Sequence, residues 1–143
     1  MSQPQNRPQE RTQSGELYSP EQIHRAIREG GRALVELAEQ VGRRVKNEGL
    51  TTNQIRNIFG LVKRMEMEMR KGSDWKHELM MLKPKMAYAA ARAKERSRDR
   101  GAETLAKVLA RAIDEVGSDA SKFSRFVDLF EAILAYHKAA GGR

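Results

Sequence analysis

Basic side chains spaced along predicted helices are the residues of this chain most able to bind a ligand. They form two rows, and the members of each row recur at intervals of four or seven residues, which places them on one face of a helix. Cationic groups at this spacing repeat about every 6–10 Å along the helix axis and can follow a phosphate backbone. An aromatic ring within the second row can stack a base without reading its identity. The first row is Arg56, Lys63 and Arg70, and the second is Lys85, Arg92 and Arg96, with Tyr88 between its first two members.

The positive charge of the chain is concentrated in the segment that carries these rows. Residues 50–100 carry +7 of the net charge of +8 of the 143-residue chain. Such a local excess favours an anionic partner, either a nucleic acid or an anionic membrane surface. The alternative is a solvated basic face without a ligand, because charged rows are common on helix surfaces. The sequence has no helix-turn-helix, zinc-finger or RNA-recognition signature, so we expect backbone contact rather than sequence-specific reading of a duplex.

The residues that could support catalysis are few and scattered. The chain has no Cys, which excludes thiolate metal sites and cysteine nucleophiles. His24, His77 and His137 fall on three different predicted helices without the spacing of a metal site, so we expect them to be surface or packing residues. Acidic pairs lie beside basic residues as ion-pair formers, and neither a glycine-rich phosphate loop nor a nucleophile elbow is present. We therefore predict no enzymatic activity, no metal and no cofactor.

Apolar residues recur at helical spacing through most of the chain and predict the elements that position the basic rows. Capping boxes at Ser19–Gln22 and Thr51–Gln54 mark two helix starts, and glycines mark the helix ends. These signals predict an all-α fold, a compact bundle of about five helices, in which the fifth helix is the central one. The predicted buried faces are Ile23, Ile27, Leu34, Leu37, Val41 and Val45; Ile55, Ile58, Phe59, Val62, Met65 and Met69; Leu79, Leu82, Met86, Ala90 and Ala93; Leu105, Val108, Leu109, Ala112, Ile113 and Val116; and Phe123, Phe126, Val127, Phe130, Ile133, Leu134 and His137.

Several features divide or bound this helical pattern. The pair Gly30-Gly31 interrupts the first helix and is expected to kink it or to allow close packing, and Pro84 predicts that the third helix is kinked or split near that residue.

Residues 1–18 are expected to form a disordered tail, and residues 19–143 a single helical domain. With no signal peptide and no apolar run of membrane-spanning length, we expect a cytoplasmic protein.

Three sequence blocks resemble those of a known family. They are LTTNQIRNIF at residues 50–59, LKPKMAYAAAR at residues 82–92 and FVDLFEAILAYHKAAGG at residues 126–142. In this order, and in a basic helical protein of this size, they resemble the small subunit of the type III-A CRISPR effector, the Csm complex. The resemblance extends over roughly residues 20–142.

The resemblance implies a small all-helical subunit without catalytic activity. It implies stacking of several copies along the inner filament of the complex, where target RNA pairs with guide RNA. The implied partners are guide RNA, target single-stranded RNA, the backbone repeat subunit and the large polymerase-like subunit, with no membrane partner. The alternatives are a structural adaptor that binds only protein and a general basic nucleic-acid-binding protein. The resemblance matches RNA-backbone contacts to Arg56, Lys63, Arg64, Lys85 and Arg92, and the two rows extend the candidate set to Arg70, Tyr88 and Arg96.

Overall fold

The computed structural model describes residues 18–97 and 99–143, and these residues form an all-α fold without strands. Six helices follow one another through short connections. The prediction of an all-α bundle is therefore confirmed, with six helices instead of about five. The helices are α1 (Pro20–Glu29), α2 (Gly31–Asn47), α3 (Thr52–Arg70), α4 (Trp75–Ser97), α5 (Gly101–Val116) and α6 (Ala120–Ala139).

The additional helix arises at Gly30, where the predicted first helix is divided in two. Gly30 adopts φ 68° and ψ −148°, a left-handed conformation that glycine tolerates and most residues do not. Arg125 of α6 fixes the break, because its Nη1 donates to the carbonyl oxygen of Arg28 at 2.6 Å at the end of α1. The glycine pair therefore separates two helices and does not merely kink one.

The predicted split at Pro84 does not occur, because α4 runs from Trp75 to Ser97 with the proline inside it. Proline removes one backbone hydrogen bond and strains the preceding turn, but tertiary contacts hold both sides of the helix in place. Leu82 and Met86 are both buried, and Lys83 forms an ion pair with Asp114 of α5. A kink of α4 at Pro84 stays a prediction.

Four helices form the centre of the molecule, and two pack on its outside. Helices α1, α2, α5 and α6 all contact one another, and α6 contributes Phe123, Phe126 and Phe130, each fully buried. The hairpin formed by α3 and α4 covers this unit, with α3 against α6 and α4 against α5. Aromatic contacts attach the hairpin to the central helices. The ring centres of Phe59 and Phe130 lie 5.3 Å apart, and those of Trp75 and Phe123 lie 4.9 Å apart.

The core extends one residue further towards the N-terminus than predicted. Residues 1–17, most of the predicted disordered tail, lie outside the described residues. Tyr18, the last residue assigned to that tail, is only 9% exposed and belongs to the hydrophobic core.

Among the described helices, none is long and apolar enough to cross a membrane.

Candidate nucleic-acid interface

The helices that carry the two basic rows lie side by side and antiparallel, joined by the short connection at residues 71–74. The space between them, here the α3–α4 groove, contains two clefts. The turn cleft, of about 370 Å³, lies beside the connection, and the basic cleft, of about 290 Å³, lies towards the other end. The turn cleft is lined by residues that include Leu61, Arg64, Glu68, Asp74, Trp75, His77, Glu78 and Lys85, and the basic cleft by Gln54, Asn57, Ile58, Tyr88, Ala89, Arg92, Ala93, Arg96 and Ala102.

The predicted second row lies along the α4 wall of this groove. Lys85 lines the turn cleft, whereas Tyr88, Arg92 and Arg96 line the basic cleft. The opposite wall adds Arg64 of α3 to the turn cleft. The structure thus brings together five of the eight candidate residues on two facing helices.

Tyr88 and Arg92 form a preorganised pair at the mouth of the basic cleft. The Tyr88 side chain is 65% exposed, and Arg92 Nη1 donates to its hydroxyl at 3.0 Å. The guanidinium carbon of Arg92 lies 5.8 Å from the centre of the tyrosine ring, within the range of a cation–π contact. None of the described residues that line the basic cleft is acidic, so its lining favours a negatively charged ligand.

The turn cleft has a different electrostatic character. Its two cationic groups, on Arg64 and Lys85, share the lining with three acidic residues, Glu68, Asp74 and Glu78. Neither cation makes an ion pair within the part of the chain that the structure describes, whereas Glu68 pairs with Lys71 at 3.8 Å. The mixed charges make this end of the groove less attractive to a polyanion than the basic cleft.

The cationic side chains of α4 divide into a paired and an unpaired set. On the side that faces α5, Lys83 pairs with Asp114, and Lys94 pairs with Glu103 at 3.6 Å. Lys85, Arg92 and Arg96, on the groove side, form no ion pair with any described carboxylate. The helix therefore uses two lysines to bind its neighbour and leaves the groove-facing cations available for a ligand.

The first predicted row does not join the second. Arg56, Lys63 and Arg70 line neither cleft. Their positions relative to the buried residues Ile55, Val62 and Met65 place them on the opposite flank of α3. Lys63 Nζ donates to Glu66 at 2.9 Å. This hydrogen bond raises the pKa of the lysine, and the negative charge of Glu131 on α6 adds to the effect. One strand cannot follow both rows without crossing α3.

The α3 wall of the basic cleft is formed by Gln54, Asn57 and Ile58, none of which is among the candidates predicted from the sequence. Their spacing contained the signal, because Gln54, Asn57, Leu61 and Arg64 follow at intervals of three or four residues and so share one helix face. The capping box at the start of α3 drew attention to Gln54 only as a cap. Gln54 both caps α3 and lines the basic cleft. Its Oε1 accepts the capping hydrogen bond from the backbone N–H of Thr51 at 2.7 Å.

The histidines lie apart on α1, α4 and α6. His24 Nδ1 is 2.6 Å from Glu115 Oε1 at the surface, and buried His137 lies with Nε2 2.6 Å from the carbonyl oxygen of Leu50. Within residues 18–97 and 99–143, no cluster of three or more potential ligands that could hold a metal ion is found. The predicted ion-pair role of the acidic pairs is confirmed for Glu66, Glu68 and Asp114, each of which has a lysine partner.

Comparison with known proteins identifies the family of this chain. A model of the family described as Csm2 Type III-A matches residues 28–143. No curated protein and no solved structure matches the chain. The match begins at the end of α1 and includes α2 to α6, and therefore both walls of the α3–α4 groove. The chain belongs to the Csm2 Type III-A family and is a small subunit of the type III-A CRISPR complex.

Proposed function

We propose that this protein is a non-catalytic subunit that holds RNA backbone within the type III-A complex through its α3–α4 groove, without reading sequence. The observation that carries the proposal is that the groove-facing cations of α4 form no ion pair with a described residue, whereas two lysines of the same helix are paired with α5. Several copies stack along the inner filament in the cytoplasm, beside the backbone repeat subunit and the large polymerase-like subunit. Guide RNA and target RNA are the ligands.

The groove suits a phosphate backbone because of the type and position of its groups. Arg92 and Arg96 lie one helical turn apart, about 6 Å along the axis, and guanidinium groups bind phosphate oxygens through paired N–H donors. Lys85 and Arg64 continue the positive charge towards the turn cleft. Contacts of this kind position a strand without carrying sequence information, which suits a complex in which base pairing with the guide selects the target.

The row of Arg56, Lys63 and Arg70 forms a second and weaker RNA contact on the other flank of α3. Arg56 and Arg70 are exposed and make no ion pair with a described residue, but Lys63 is partly neutralised by Glu66. Since this row lies away from the groove, it reaches a different segment of RNA from the one in the groove.

The salt dependence of target-RNA binding by the assembled complex tests this proposal. Each cation–phosphate contact with a single strand contributes about −0.7 to the slope of log affinity against log salt. Replacement of Lys85, Arg92 and Arg96 by Ala is therefore expected to reduce the slope by about 2 per copy, similarly for different guide sequences. Replacement of Arg56 and Arg70 is expected to reduce it by at most about 1.4 per copy.

The matched control is Arg32→Ala, which removes an exposed arginine of α2 outside both surfaces and is expected to leave the slope unchanged. Assembly is followed in parallel by co-purification of the other subunits and guide RNA. An unchanged slope in the groove variant contradicts the proposal. Loss of assembly with unchanged RNA affinity in the remaining complex indicates instead an adaptor that binds only protein.

A further inference from the structure

The basic cleft has the composition of a site for a single unpaired nucleotide. We propose that this cleft takes up one unpaired base of an RNA strand, stacked on Tyr88, so that the subunit distinguishes a strand with an unpaired nucleotide from a continuous duplex. The inference rests on the proposed function and specifies the form of RNA that the groove prefers.

The stacking surface is already ordered before a ligand arrives. The ring of Tyr88 is exposed, and the hydrogen bond from Arg92 to its hydroxyl fixes the ring in the groove wall. A fixed side chain loses little conformational freedom on binding, which favours affinity. A base in a duplex has both faces covered by its neighbours, so only an unpaired base can reach this ring.

The α3 wall supplies groups for the edge of such a base. The capping hydrogen bond commits Gln54 Oε1 to the backbone N–H of Thr51, which leaves the amide Nε2 as a donor. Asn57 is exposed and forms no side-chain hydrogen bond with another described residue, so it can both donate and accept. Ile58 adds an apolar surface between them and the core.

The volume and charge of the cleft limit what it can hold. At about 290 Å³ the cleft lies just below the range for small-molecule pockets, about 300–1,000 Å³, which suits one base and not a base pair. Arg96 and the remaining N–H groups of Arg92 lie where flanking phosphates of the same strand can be bound. Because a ring stacks every base and the amides offer both donors and acceptors, the site tolerates all four bases.

The experiment uses the full chain and three RNAs of equal length labelled with 2-aminopurine: a single strand, a duplex with the label as a one-base bulge, and a fully paired duplex. The wild-type chain is expected to bind the single strand and the bulged duplex about tenfold more tightly than the paired duplex, with quenching of the bulged label. Tyr88→Leu is expected to abolish the quenching and to remove the preference, so that the single strand and the bulged duplex bind no more tightly than the paired duplex. Tyr88→Phe, which keeps the ring but removes the hydroxyl that accepts from Arg92, is expected to retain the quenching with a smaller preference for the unpaired RNAs. Circular dichroism checks that the variants retain their helices.

The possible failures separate the two proposals. Equal affinity of the wild-type chain for bulged and paired duplexes overturns the unpaired-nucleotide site and leaves backbone contact intact. A retained preference in Tyr88→Leu overturns the assignment of the stacking residue, and absence of binding to all three RNAs also overturns the site. Backbone contact in the assembled complex is decided separately by the salt slope of the groove variant.

Discussion

Tyr18 shows how one residue can join the start of the chain to its core. Its ring is buried, and the guanidinium carbon of Arg44 lies 5.5 Å from the ring centre. Burial, which disfavours the charged phenolate, raises the pKa of Tyr18 from 10.0 to about 12, although the positive charge of Arg44 opposes part of the effect. The folded protein therefore keeps a proton that the unfolded chain loses between these two values.

This difference in protonation predicts a loss of stability at alkaline pH. Because the folded pKa is raised, the stabilisation is fully present below pH 10 and is lost as the pH rises to about 12. The free energy of unfolding of the wild type is expected to fall by about 2–3 kcal/mol more than that of Tyr18→Phe over this range. Urea unfolding at pH 9 and pH 11.5 measures both proteins, and parallel losses in the two contradict the prediction.

At the scale of the elements, the helices differ in how closely their backbones approach. Helix α2 meets α6 at Gly42, where an added Cβ atom would lie 2.8 Å from the Cβ atom of Tyr136 and 2.9 Å from the backbone nitrogen of His137. Gly60, inside α3, has no atom within 4 Å of the same position. The first glycine permits a helix contact, whereas the second only weakens its own helix.

The two glycines therefore predict stability changes of opposite sign. Gly42→Ala is expected to lower the free energy of unfolding by about 1–3 kcal/mol, because neither backbone can move away without disturbing the core. Gly60→Ala is expected to raise it by about 0.5–1 kcal/mol through helix propensity. Urea unfolding of both variants and the wild type provides the measurement. A Gly42→Ala protein as stable as the wild type is incompatible with the close contact of α2 and α6.

At the scale of the whole molecule, one wall of the groove is α3, the described helix that buries the smallest fraction of its residues. Helix α3 buries only three residues, Ile55, Val62 and Met65, whereas α6 buries seven. It also contacts mainly α4 and α6, while the four central helices all contact one another. The candidate RNA-binding surface is thus formed by a hairpin attached to a more strongly packed unit.

This arrangement predicts an uneven pattern of amide hydrogen exchange. Local opening of the hairpin requires the loss of fewer buried contacts than opening of the central unit. Backbone amides in the middle of α3 are therefore expected to exchange at least about tenfold faster than those in the middle of α2 and α6. Mass spectrometry of peptides from the full chain measures the rates. Equal rates in the three helices would show instead that the molecule opens as one unit.

The sequence predicted which face of each helix is buried better than it predicted which helices pack against one another. Periodicity identified the stripe of α5, from Leu105 to Val116, because burial repeats with the helical turn. It did not show that the row of Arg56 and Arg70 lies away from the groove, because a helix has two flanks beside its buried stripe and only tertiary packing decides which helix covers each. The continuity of α4 through Pro84 has the same origin, since contacts from other elements outweigh a local preference.

The separation of cations on α4 has a consequence for how this protein can evolve. Lys83 and Lys94 form surface ion pairs with α5, so their replacement removes a contact between helices, worth about 0–1 kcal/mol, as well as a charge. Arg92 and Arg96 make no contact on which the packing of the described helices depends, and their replacement alters only what the groove attracts. Selection can therefore adjust the strength of binding by single substitutions on the groove side of the helix, whereas substitutions of the two lysines also change a contact with α5.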